Sequence, residues 1–156
     1  MSEALQPNDA APAFVLPRDG EGTISLANCA GRKLALYFYP KDDTSGCTAE
    51  AIDFNRLAGA FAAADTAIIG VSPDPVKKHD KFRDKYELGF PLLADEDKTM
   101  LEAFGVWVEK SMYGRKYMGI ERTTVLIDKA GIVKRVWKKV KVPGHVAEVL
   151  KEAAAL

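Results

Sequence analysis

Two hydrophobic periods alternate along this chain, and the changes between them place the elements. Lys33-Leu34-Ala35-Leu36-Tyr37-Phe38-Tyr39 is a continuous apolar run ended by Pro40, the pattern of a central strand buried on both faces. After a polar loop, Lys41-Asp42-Asp43-Thr44-Ser45-Gly46, the period becomes helical. Cys47, Ala51, Phe54, Leu57, Ala58 and Phe61 fall on one face, mostly at steps of three and four. Residues 66–72 form a second buried strand. Asp74-Pro75 then opens a helix, with Asp74 expected as N-cap, Pro75 as the first helical residue, and Val76, Phe82 and Tyr86 as the apolar side. Short pieces follow, a strand at 90–94 and a helix at 98–104. Earlier, Phe14-Val15-Leu16 and Thr23-Ile24-Ser25-Leu26 flank Asp19-Gly20, which predicts a hairpin. Residues 123–128 and 132–138 flank Lys129-Ala130-Gly131 and predict another. Val146, Val149, Leu150 and Ala153 close the chain as an amphipathic helix. Strand–helix–strand units favour parallel pairs and the late hairpin adds antiparallel ones. The expected class is α/β, a mixed central β-sheet flanked by helices, with an N-terminal β-hairpin extension.

Composition narrows the function. The 156 residues suit one domain, expected over 1–156, and 47% apolar with 28% charged residues is an ordinary globular profile. Twenty-two basic residues balance 22 acidic ones, which supports neither a nucleic-acid nor a membrane-surface partner. The start, MSEALQPNDAAPAF, has no basic segment leading into an apolar run. No stretch approaches the roughly 18 apolar residues of a spanning helix. A cytoplasmic location is expected. Two cysteines, Cys29 and Cys47, are not a disulfide scaffold. The two histidines, His79 and His145, lie far apart and give no zinc spacing. No metal and no cofactor is expected.

Cys47 carries the chemistry, because the pattern sets it in the first turn of a helix that follows a buried strand. The thiolate is the reactive form of cysteine, and unpaired N–H groups at a helix start stabilise a negative charge by up to about 2 kcal/mol. Full activation needs a further cation or hydrogen bond. Helix position alone leaves two readings level, a reactive thiol and a small apolar core residue. The residues before it favour the first. Pro40 ends the strand, Thr44 offers a hydroxyl, and Gly46 lets the backbone come close.

These residues resemble a known family. Pro40, Thr44 and Cys47 match the peroxiredoxin motif P-x-x-x-T-x-x-C, and the surrounding YFYPKDDTSGCT resembles the bacterioferritin comigratory (BCP), or PrxQ, branch. Phe104-Gly105-Val106-Trp107, Gly119-Ile120-Glu121-Arg122-Thr123 and Val125-Leu126-Ile127-Asp128 agree, so the resemblance runs from about Pro12 to the C-terminal helix. It implies a thioredoxin-like fold and reduction of hydrogen peroxide and organic hydroperoxides. Cys47 would be the peroxidatic nucleophile, forming a sulfenic acid. Thr44 would hydrogen-bond the thiolate and orient the peroxide. The N–H groups of Gly46 and Cys47 would hold the second oxygen. Pro40 would shield the sulfur, Arg122 would supply the cation, and Glu50 would hold Arg122. The branch also implies a monomer or weak homodimer.

The chain departs from this pattern at the resolving cysteine. Five residues after Cys47 stands Ile52, and the following helix has no cysteine. Only Cys29 remains, in the loop Ala27-Asn28-Cys29-Ala30-Gly31, and a disulfide would need its Cα within about 7 Å of that of Cys47. Ser45 replaces a frequent proline. The expectation is a one-cysteine mechanism regenerated by thioredoxin, by glutaredoxin with glutathione, or by another small thiol. The alternatives are a two-cysteine mechanism with Cys29 as resolver, and a non-enzymatic redox sensor on the same scaffold. A Cys-His hydrolase would need His79 or His145 beside Cys47; His79 reads instead as a half-buried packing residue and His145 as a surface one. No C-x-x-C of a disulfide reductase is present. The basic run Lys134, Arg135, Lys138, Lys139 and Lys141 reads as a solvated face, and Trp107 and Tyr113 as packing residues.

Overall fold

The computed structural model describes residues 5–156. Part of the segment on which the leaderless reading rests, residues 1–4, lies outside them. A five-stranded mixed sheet organises the chain. Its strands are β3 (Lys33–Phe38), β4 (Thr66–Ser72), β5 (Leu92–Ala94), β8 (Thr123–Ile127) and β9 (Val133–Trp137), in the order β5-β4-β3-β8-β9. The pairs β3–β4 and β4–β5 are parallel, and β3–β8 and β8–β9 antiparallel. All six residues of β3 are buried because the sheet is covered on both sides. Ala35, Tyr37 and Tyr39 enter one core, with Phe54, Phe61, Phe82 and Val149. Leu34, Leu36 and Phe38 enter the other, with Phe14, Met100, Leu101 and Phe104. The bare edge of Gly70 on β4 makes room for Tyr37. A Cβ there would come within 2.9 Å of the Tyr37 ring.

The first core is closed by α1 (Ser45–Arg56), α2 (Ala58–Ala63), α3 (Val76–Tyr86) and α5 (His145–Ala155), and the second by α4 (Thr99–Ala103). The early hairpin pairs β1 (Val15–Pro17) with β2 (Thr23–Ser25). Among the described residues no helix is long and apolar enough to cross a membrane.

The structure corrects the sequence reading in four places. The helix expected through Phe61 breaks at Leu57, although Phe61 stays in the same core. Asp74 does not cap α3, whose N-cap is Pro75. Its carboxylate turns back instead, accepting from the Asp42 N–H and the Ser72 hydroxyl, both at 2.7 Å. Around Cys29 the chain forms a 3₁₀ turn, Leu26–Cys29, closed by reciprocal bonds between Ser25 and Asn28. A further hairpin, β6 (Trp107–Met112) with β7 (Arg115–Ile120), turns at Tyr113-Gly114, where both residues have positive φ. Such a two-residue turn is a hairpin signal, but its strands are largely exposed and lack a clear apolar alternation.

Candidate active site

The strand β3 delivers the chain to the C-terminal edge of the parallel pair, where Pro40 starts the loop to α1. Thr44 is the N-cap of α1, so Gly46 and Cys47 lie in its first turn. The bond from Thr48 N–H to the Thr44 carbonyl, at 2.8 Å, closes that turn. The preceding amides of Gly46 and Cys47 therefore have no intrahelical acceptor. Cys47 is 1% exposed. Its sulfur accepts a hydrogen bond from Arg122 Nη2 at 3.3 Å. Arg122 lies between β7 and β8, 75 residues away in sequence. It fits against the helix start because residue 46 has no side chain: a Cβ there would meet Nη2 at 3.2 Å.

The other arm of the guanidinium, Nη1, donates to Glu50 Oε1 at 2.6 Å. Glu50 is one helical turn beyond Cys47 and fully buried. Burial raises its carboxyl to about 7. The charge and hydrogen bond of Arg122 oppose that rise, and Asp53 adds to it. Burial also works against the Arg122 cation, but Glu50 and Cys47 outweigh it and hold the guanidinium proton more firmly than usual. Beneath the site Tyr37 stacks on Phe54, ring centroids 4.5 Å apart. Burial, then the charges of Glu50, Cys47 and Asp42, hold its phenol well above the normal range.

A second buried network fixes the loop between Pro40 and Cys47. Tyr39 Oη donates to Asp42 Oδ1 at 2.6 Å. His79 of α3 reaches Asp42 Oδ2 through Nδ1 at 2.6 Å and the Leu93 carbonyl through Nε2 at 2.9 Å. Both partners are acceptors, which calls for the doubly protonated ring. Burial alone would lower His79, but Asp42, the Leu93 carbonyl and Asp74 together raise it. Asp42, Asp74 and His79 bring three potential metal-ligand atoms within 4.8 Å of one another. An imidazolium has no lone pair for a metal, so the trio serves as an anchor for the loop.

Comparison with known proteins agrees with this geometry. Residues 7–136 match the AhpC/TSA family. The chain is 50% identical to peroxiredoxin Bcp of Bacillus subtilis over 141 residues, covering 90% of each. This chain belongs to the peroxiredoxins of the AhpC/TSA family, in the BCP/PrxQ branch. The bacterioferritin comigratory protein of Xanthomonas campestris, solved in work on its alkyl peroxide reduction activity, superposes on this peroxiredoxin with a TM-score of 0.88 at 45% identity, covering 91% and 90% of the two chains. A cysteine-to-serine form of PrxQ from Xylella fastidiosa gives a TM-score of 0.93 at 37% identity, covering 99% and 98%. The thioredoxin-like fold follows from these likenesses, as does membership of an enzyme family, the thiol peroxidases.

Of the residues singled out in the sequence, the peroxiredoxin brings Gly46, Cys47, Glu50 and Arg122 together. Pro40 sits half-buried two residues past the end of β3. Thr44 differs from expectation, because its hydroxyl donates to the Lys41 carbonyl at 3.0 Å and leaves only lone pairs for other partners. Neither histidine touches the sulfur. His79 is completely buried rather than half-buried. His145 is also buried, bonded to Thr124 at 2.8 Å rather than at the surface. Tyr113 is 98% exposed at the β6–β7 turn and packs no core. Arg135 of the basic run pairs with Glu148 and Glu152 of α5. Cys29 is half-buried, bonded weakly to the Ser25 carbonyl at 3.7 Å and packed against the second core. Sequence reading missed Tyr37, Tyr39 and Asp42 as parts of the site. Asp42 lies in a polar loop, and its partner His79 is 37 residues away.

Proposed function

We propose that this peroxiredoxin reduces hydrogen peroxide and organic hydroperoxides by a one-cysteine mechanism at Cys47. The observation that carries the reading is the Arg122 guanidinium set on the Cys47 sulfur at a helix start. The thiolate attacks one peroxide oxygen and becomes a sulfenic acid, and the other oxygen leaves as water or an alcohol. Negative charge builds on that leaving oxygen. Arg122 and the free N–H groups of Gly46 and Cys47 are the donors that meet it. Thr44, its hydroxyl proton committed to Lys41, accepts a hydrogen bond from the peroxide O–H and so orients it. Pro40 limits water at the sulfur, and Glu50 holds Arg122 in line. Because Cys47 is buried, the start of α1 opens for the reductant to reach it.

Geometry supports an external reductant. Cys29 precedes β3 and Cys47 follows it, and five steps of strand, Lys33 to Phe38, span about 17 Å. The two cysteines also pack against opposite cores. Burial raises the Cys29 thiol, with Arg32 opposing, which disfavours the thiolate that a resolving residue uses. Thioredoxin, or glutaredoxin with glutathione, then returns Cys47 to the thiol. The setting is the cytoplasm, and the acting unit is a monomer or weak homodimer with 1–156 as one domain. The test is peroxide turnover by the wild type, Cys47→Ser and Cys29→Ser proteins with each reductant. The reading requires turnover to vanish in the first variant and persist in the second. Loss of turnover in Cys29→Ser would establish Cys29 as resolver, and oxidation of the wild type without turnover would mark a sensor.

A further inference from the structure

Two acidic groups in this site depend on one cation. Arg122 donates from Nη2 to the Cys47 sulfur at 3.3 Å and from Nη1 to Glu50 Oε1 at 2.6 Å. Glu50 is completely buried, and its second oxygen, Oε2, has no hydrogen-bond partner among the described residues. An ionised carboxylate with a bare, buried oxygen is costly, whereas a protonated one keeps Oε1 as acceptor and carries its proton on Oε2. The groups that bear on Glu50 come from several elements. Arg122 comes from the β7–β8 link and Asp53 from α1 itself, and Tyr37, whose buried hydroxyl is likewise unpartnered and which feels both Glu50 and Cys47, comes from β3. His145, at the start of α5, bears on Arg122 but adds no cation. Burial lowers it to about 4, with Arg122 lowering it further and Glu148 opposing.

We propose that Glu50 is a proton store set by the oxidation state of Cys47: it is protonated while the sulfur is a thiolate, and it gives up its proton when the sulfur becomes a sulfenic acid. The inference rests on the peroxidase reading above. While Cys47 is an anion it draws on the Arg122 charge and repels a second anion at Glu50. Once the sulfur is a neutral sulfenic acid, the whole guanidinium charge serves the carboxylate. The chemistry balances. The thiolate forms an S–O bond as the O–O bond breaks, the sulfur is oxidised by two electrons, and the peroxide is reduced. The departing oxygen leaves as an alkoxide or hydroxide that takes up one proton. Thiolate, hydroperoxide and carboxylic acid thus become sulfenic acid, alcohol and carboxylate, with one negative charge on each side. The carboxyl raised to about 7 by burial fits a group that changes state near neutrality. Glu50 touches the sulfur only through Arg122, so it is a positioning residue as well as a proton store.

Difference infrared spectroscopy of the full chain tests this. Protein carrying isotope-labelled glutamate is oxidised with stoichiometric hydrogen peroxide at mildly acidic pH, and mass spectrometry follows the same sample. The expected result is loss of one protonated-carboxyl band per Cys47 oxidised. A carboxylate band should rise in its place, the isotope should shift both, and Glu50→Gln should show neither. An oxygen adduct on Cys47 with no protonated glutamic acid lost refutes the proton store and leaves the peroxidase reading standing. No adduct on Cys47 refutes the peroxidase reading, and the store falls with it. The labelled wild-type protein decides the matter even if the variant does not fold.

Discussion

Replacing Arg122 with methionine keeps an unbranched apolar stem and removes the charged guanidinium. At 3.3 Å from Nη2 to the sulfur, a thiolate and a guanidinium attract by about 5 kcal/mol at an effective dielectric of about 20. That figure is gross, because Glu50 draws on the same cation from 2.6 Å and water screens a side chain that is 17% exposed. Net values for hydrogen bonds to charged groups, about 1.5–3 kcal/mol, are the better guide. At about 1.36 kcal/mol per decade, Arg122→Met should slow Cys47 oxidation by about 10- to 150-fold. The assay is the second-order rate of sulfenic acid formation, by rapid quench and mass spectrometry, with circular dichroism to verify the fold. A folded variant that reacts within about threefold of the wild type would refute the role given to Arg122.

Other consequences reach stability. Glu50 ionises at 4.5 when unfolded and at about 7 when folded, so the folded state holds the extra proton between those values. Wild-type stability relative to Glu50→Gln should therefore fall as pH rises from 4.5 through 7, by at most about 3–4 kcal/mol, in urea titrations across that range; parallel curves would contradict the buried-carboxyl account. His79 is raised by its bonds, so its contribution is complete below its ordinary value and is lost as pH climbs through the folded one. His79→Ala should cost about 3–5 kcal/mol by leaving Asp42 buried without its partner, and a cost under about 1 kcal/mol in the same titration would remove the anchor. Gly70→Ala should destabilise by about 1–3 kcal/mol through its clash with Tyr37 and Leu92. Gly59→Ala, which meets open space on α2, should be neutral or gain up to about 1 kcal/mol. Equal melting temperatures for these two variants would contradict the packing described.

The sequence revealed those parts of this fold that rest on local pattern. The run from Lys33 to Tyr39 announced a strand covered on both faces, and the spacing from Cys47 announced a helix that opens at the sulfur. What it hid depends on tertiary partners. Asp74 has every local mark of an N-cap, yet its carboxylate is claimed by Ser72 and by Asp42 from another loop. His145 sits in the polar first turn of a helix, and the arrival of Thr124 from β8 and of the Trp137 ring from β9 buries it. Thr44 could have donated to the sulfur, but the Lys41 carbonyl three residues back takes its proton. Arg122 and Glu50 were reached through family resemblance, since nothing local distinguishes an arginine between two strands that pairs across 72 residues from a solvated one.

The central claim is that Cys47 alone is the sulfur that peroxide oxidises. Its most direct test is a single turnover with stoichiometric peroxide, trapped by a sulfenic-acid reagent and mapped by peptide mass spectrometry. The account predicts the trapped adduct on Cys47, with Cys29 left as a free thiol. A Cys29–Cys47 disulfide as the main product, or an adduct on Cys29, would contradict it.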